Sequence, residues 1–202
     1  MQDLETLIDT PNESETVEYK GWLDLHSRGQ NPDRAILAKA LIALRNHGGG
    51  YVVIGFDDEA NQPLAPLAKP EEYQDFDGDV VQGIIRRHAS PAFHCDLMIE
   101  KGHPIIQVPA GVTEPVITVG GSPDNGATLA SGKYYIRCPG PESREPRDGL
   151  EWKALIDRCV ANNRDEIVNR IIPVLRQLEA LKVIEVVETE GARERIENLL
   201  DD

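Results

Sequence analysis

Two short stretches of this 202-residue chain carry residue types that could do chemistry together. The first is Glu13-Ser14-Glu15-Thr16-Val17-Glu18-Tyr19-Lys20. The second is Asn46-His47-Gly48-Gly49-Gly50-Tyr51-Val52-Val53-Ile54-Gly55-Phe56-Asp57-Asp58. Residues 16–20 have the β-branched and aromatic content of a strand, so Glu18 and Lys20, two apart, leave the same face. Asp57 follows a continuous apolar run, at a strand end where functional side chains are commonly carried. If the two strands are neighbours, Glu18 and Asp57 converge, with Glu13 arriving from the preceding segment. Three carboxylates held together repel one another unless a cation or protons intervene. Mg2+ or Mn2+ would be the natural guest of such an oxygen-rich site. That ion would activate water and stabilise charge building on a phosphoryl group, while Lys20 neutralises the phosphate.

Each feature also has a plainer reading. Glu13 and Glu15 could be solvated residues leading into a strand. Glu18 with Lys20 could be a surface ion pair, worth about 0–1 kcal/mol. Asp57-Asp58 could be the polar start of a loop. Gly48-Gly49-Gly50 stops a helix, and it lacks the Gly-Lys-Ser/Thr ending of a P-loop. His26, His47, His88, His94 and His103 show no metal-ligand spacing and read mostly as surface or loop residues. Trp22 and Trp152 read as core anchors rather than base-stacking platforms.

The elements that must position these residues follow from periodicity. Asp33 is a candidate N-cap for a helix to about Asn46, with Ile36, Leu37, Ala40, Leu41 and Leu44 at helical spacing. Tyr51–Phe56 reads as a buried central strand. A second helix runs from Asp77 or Asp79 through His88. Strands over 94–100 and 104–108 are joined by a tight turn at Lys101-Gly102-His103. Further strands are expected at 116–119 and 133–137. After Pro139-Gly140-Pro141 the pattern becomes helical. One amphipathic helix carries Trp152, Leu155, Ile156, Cys159 and Val160. A second carries Ile167, Ile171, Leu175, Leu178 and Leu181, kinked or divided by Pro173. The expectation is an α+β fold: a mixed β-sheet with flanking helices over residues 1–145, then a C-terminal helical extension with an acidic tail over 146–202.

Composition narrows the function classes. No apolar stretch approaches the roughly 20 residues that span a bilayer, and the N-terminus is acidic, so a cytoplasmic protein is expected. Cys95, Cys138 and Cys159 form neither a CxxC pair nor an even set, which points to reduced thiols. The formal net charge is −14. Residues 179–202 hold eight acidic and three basic side chains, a net of −5, which leaves −9 for the rest. Any nucleic-acid site must therefore be a confined groove or a metal-bridged one.

Taken together, Glu13-Ser14 with Glu18-Tyr19-Lys20, the helix ending in Asn46 and the double glycine, and the strand leading into Gly55-Phe56 and Asp57 resemble the signature of the Schlafen AlbA_2 family. Tyr135-Ile136-Arg137, followed by Gly140, resembles that family's later arginine-bearing strand, and Trp152–Ile156 the helix after it. The resemblance covers about residues 12–160. It implies a nucleic-acid-handling α+β domain, RNA or DNA, with Lys20 and Arg137 as contacts. Some vertebrate members are endoribonucleases using two glutamates and an aspartate. Glu13, Glu18 and Asp57 match those positions as catalytic and metal-binding residues, with Asp58 an equal match for the aspartate. Many bacterial members are known only as nucleic-acid- or nucleotide-binding modules. The leading expectation is therefore a metal-dependent nuclease, with a non-catalytic regulatory or assembly module as the alternative. A part in phage defence, and association through the C-terminal helices into a homo-oligomer or larger assembly, complete the expectations.

Overall fold

Strand β1 (Val17–Lys20), strand β2 (Gly50–Ile54) and the helix α2 (Asp33–His47) between them form a βαβ unit. The two strands run parallel, with Glu18 opposite Val52 and Lys20 opposite Ile54. A parallel pair needs such a crossover, because a two-residue turn can join only antiparallel strands. The computed structural model describes residues 4–26, 32–57, 62–67 and 70–180. In it β2 also pairs antiparallel with β5 (His103–Val108), which pairs antiparallel with β4 (Asp96–Glu100). The sheet is thus mixed, ordered β1-β2-β5-β4. The expected tight turn joins β4 to β5: Lys101 and Gly102 both take positive φ (48° and 79°), which matches the right-handed twist of the strands.

Alternation sorts the sheet into two faces. Val52, Ile54, Ile106 and Val108 join the main core with α2. Val17, Tyr19, Val53 and Ile105 face the other way and pack with Leu7 and Ile8 of a short helix, α1 (Leu4–Asp9), which the sequence reading did not anticipate. Nearly every position in the middle of α2 is buried, from Ala35 to Leu44. The reason is that α2 has neighbours beyond the sheet: α3 (Gly78–His88) and a hairpin of β7 (Ile136–Cys138) and β8 (Glu142–Arg144) also contact it. A two-stranded ribbon of β3 (Ala89–Ser90) and β6 (Ile117–Thr118) completes the strands.

Several expected caps and boundaries differ. Pro32, not Asp33, stands at the N-cap of α2, and the Asp33 carboxylate instead accepts from the Asp24 amide (2.8 Å). At α3, Asp77 is the cap, accepting from the Asp79 amide (2.7 Å). The two C-terminal helices expected from periodicity are one helix, α4 (Gly149–Ala180), with Pro173 inside it. Nothing in Ala161-Asn162-Asn163-Arg164 supplies the glycine or proline that would end it. Leu155 and Cys159 are buried as anticipated, whereas Ile156 is half exposed. Trp152 is 38% exposed and meets Tyr134 edge to face at 5.2 Å.

The chain divides into two compact units, Met1–Asn162 and Asn163–Asp202. No described helix is long and apolar enough to cross a membrane.

Candidate functional site

Glu18 is the centre of the site. It sits mid-strand in β1 on the α2 face of the sheet, and it is only 4% exposed. A buried carboxylate needs partners for both oxygens. Lys20 Nζ lies 2.9 Å from Oε1, as the two-residue spacing on one face predicts. Arg137 Nη1 donates to Oε2 (2.9 Å), and the Ser143 hydroxyl donates to the same oxygen (3.0 Å). Arg137 and Ser143 come from the β7–β8 hairpin, where they face each other in register.

The Arg137 guanidinium is itself 1% exposed and is shared between two acids. Its Nη2 lies 3.4 Å from Glu13 Oε1 and donates to the carbonyls of Ser14 (2.7 Å) and Val17 (3.2 Å). Its Nη1 also donates to the Pro141 carbonyl (3.2 Å) and the Ser143 hydroxyl (3.2 Å). The arginine therefore fastens the segment before β1, β1 itself and the hairpin to one another. A direct phosphate contact by Arg137 would require it to leave these partners. Lys20, 24% exposed at its side chain, is open to solvent as it stands.

Burial raises the Glu13 carboxyl above its usual range. Arg137 opposes that shift, Glu18 adds to it, and Lys20 opposes it more weakly. At the C-terminal end of α2, His47 approaches Glu15 (Nε2 to Oε2, 3.4 Å). Burial lowers the His47 pKa, nearby Arg158 lowers it further, and Glu15 pulls the other way. His47 is thus half-buried and paired, not the loop residue its spacing suggested, and His88 and His103 are buried as well. Ser143, the hydroxyl on Glu18, carried no signal in the sequence. Its role depends on a hairpin register that local patterning does not give.

Asn46, from the same stretch, is fully buried, and its side-chain hydrogen bonds go to backbone groups. Its Nδ2 donates to the carbonyls of Val116 and Tyr135 (2.9 Å each), and its Oδ1 accepts from the Val116 amide (2.7 Å). The triple glycine is structural too. Gly48, at φ 118°, caps α2, and a Cβ on Gly50 would stand 2.1 Å from the Thr16 carbonyl oxygen.

The structure gathers Glu13 and Glu18 on one arginine. Asp57 stands three residues past the end of β2, its amide donating to the Gln62 carbonyl (2.8 Å). Asp58 lies outside the described residues. Among the described residues no group of three His, Cys, Asp or Glu side chains is placed to hold a metal ion. The Mg2+ or Mn2+ expected from three converging carboxylates does not fit this arrangement. Both oxygens of Glu18 are occupied by cationic or hydroxyl donors, and a divalent ion about 5 Å from Arg137 would be repelled by roughly 7 kcal/mol at an effective dielectric of about 20.

The model of the Schlafen AlbA_2 family matches residues 13–143. The chain belongs to that family. The matched span begins at Glu13 and ends at Ser143, so it contains every member of the Glu18 network. No curated protein matches the chain. Among solved structures, the DIP2311 protein from Corynebacterium diphtheriae is similar at 14% identity and a TM-score of 0.47. That match covers 71% of the present chain and 24% of the other.

Proposed function

We propose that this Schlafen AlbA_2 domain is a nucleic-acid-binding module that takes a phosphate at Lys20. The reading is carried by one observation. Within the span matched by the family, Glu13, Glu18, Lys20 and Arg137 form a single charged network, and its lysine retains access to solvent. In this reading the buried arginine and the carboxylates hold Lys20 in place, and the phosphate meets the ammonium group. A net charge of −14 argues for a local contact at Lys20 rather than a broad basic surface.

Phosphodiester cleavage is the second reading. Glu13 favours it, because a partly exposed carboxyl with a raised pKa, 3.4 Å from Arg137, has the character of a general base.

The deciding experiment incubates the pure chain with labelled tRNA, single-stranded RNA and single-stranded DNA, in Mn2+ or in EDTA. Fluorescence anisotropy reads binding and a denaturing gel reads cutting. Saturable binding that weakens with salt, and weakens further in Lys20→Ala, supports the module. No binding to any of the three at low salt overturns it. Cleavage lost in Glu13→Gln establishes the second reading.

A further inference from the structure

We infer that Arg137 is the resident cation of the carboxylate site, and that the intact chain binds no divalent metal ion there. The inference goes beyond the proposed function, because it concerns the ion chemistry of the site whether or not nucleic acid binds.

Arg137 sits where a metal would be drawn. Its two terminal nitrogens face six oxygens: Glu18 Oε2, Glu13 Oε1, the Ser143 hydroxyl, and the carbonyls of Ser14, Val17 and Pro141. Carboxylates, backbone carbonyls and a hydroxyl in that number are the donor set of a hard cation such as Ca2+ or Mn2+. The guanidinium occupies it with a single positive charge spread over a plane. It is almost wholly buried, and its Nε has no hydrogen-bond partner. A buried arginine with an unsatisfied N–H is held chiefly by Glu18 rather than by ideal geometry, since leaving that buried acid unpaired is costly. Lys20 supplies the second positive charge, on the remaining oxygen of Glu18. Two glutamates facing an arginine and a lysine are neutral in sum and leave no excess negative charge to pull in a divalent ion.

The converse also follows. Removing the guanidinium while keeping the backbone should turn the same oxygens into a cation site. Where the chain does cut nucleic acid, which rests on the second reading above, the cut should survive EDTA.

The test reads metal binding directly. Mn2+ is titrated into wild type, Glu18→Gln and Arg137→Ser, with the free ion followed by electron paramagnetic resonance. Melting midpoints are measured in Mn2+, Ca2+ and EDTA. The acidic surface takes up some Mn2+ weakly in every variant, so Glu18→Gln serves as the baseline. The expected result is that wild type and Glu18→Gln bind alike and that wild type melts at the same midpoint with ion or with EDTA. Arg137→Ser should gain a midpoint that rises with the logarithm of ion concentration. Stoichiometric Mn2+ binding by wild type that is lost in Glu18→Gln overturns the inference. A folded Arg137→Ser that responds to neither ion overturns its converse. If Arg137→Ser does not fold in any ion, the comparison of wild type with Glu18→Gln decides alone. None of these readouts uses nucleic acid, so failure here is distinct from failure of the binding proposal.

Discussion

At the scale of single residues, Glu18 and Glu13 should respond to substitution in opposite ways. Glu18→Ala strands the Arg137 guanidinium in a site where it is 1% exposed. Breaking a buried pair from one side costs about 3–5 kcal/mol, which for a chain of this size lowers the melting midpoint by roughly 10 °C. Glu18→Gln keeps an acceptor for Arg137 and should cost less. Glu13 is the contrary case. Its folded pKa is raised, chiefly by burial, so the stability it contributes is fully present below the unfolded pKa and is lost as pH rises through the folded value. Glu13→Gln removes that loss and keeps an oxygen near Arg137. Relative to wild type it should be more favourable at pH 7 than at pH 4, measured by urea denaturation at both. An equal effect at the two pH values would show that Glu13 is not held against its charge. The motif Glu13…Glu18…Lys20 was legible as a unit because strand spacing puts Glu18 and Lys20 on one side. Arg137 was legible as a motif residue but not as their partner, because the pairing spans 119 positions.

At the scale of elements, the joints are made by side chains that a pattern reading assigns to function. Asn46 is the clearest. Its amide answers three backbone groups from two separate segments, and so ties the last turn of α2 to residues 116 and 135. Asn46→Ala should cost roughly 3 kcal/mol, since each buried backbone group left without a partner carries a penalty of about 1–3 kcal/mol and some will find water. The matching measurement is amide hydrogen exchange at Val116, which should lose protection before the β2–β5 ladder does. Strands β1 and β2 and helices α2 and α3 were readable because their apolar periods are uninterrupted. The place of Asp57 was not. Gly55 takes φ 91°, and Phe56 consequently packs with Tyr19 (ring centroids 4.7 Å) on the face opposite Glu18 and Val52. Strict alternation would have put Phe56 on the Glu18 face, so counting residues past Ile54 cannot say where the next side chain goes. Similarly, Trp22 stacks on His103 against Gly55 (centroids 5.9 Å), a contact made by three separate segments that no local window contains.

At the scale of the whole molecule, charge sets how nucleic acid can be held. A protein that covers many phosphates needs a broad basic surface, and this chain carries 35 acidic residues against 21 basic ones. Much of its positive charge is also already committed. Arg137 and Lys20 hold Glu18, Arg144 holds Glu151, Lys133 holds Glu145, and Lys101 holds Asp9. Arg86 and Arg87, exposed at the end of α3, are a further positive spot, one that also suits the helix dipole. A site of this kind neutralises two or three phosphates at most. The logarithm of affinity should then fall with the logarithm of salt at a slope of about −1.8 to −2.7 on a duplex and about −1.4 to −2.1 on a single strand, because each neutralised phosphate contributes about −0.9 and about −0.7 respectively. Lys20→Ala should reduce the slope by about one if that ammonium group meets a phosphate, whereas Arg137 substitutions should change affinity through folding and leave the slope of the folded fraction unaltered. Anisotropy titrations between low and moderate salt measure both quantities on the same samples. A slope steeper than about −5 would require a basic surface larger than Lys20 and the α3 arginines supply, and would move the binding site away from the Glu18 network.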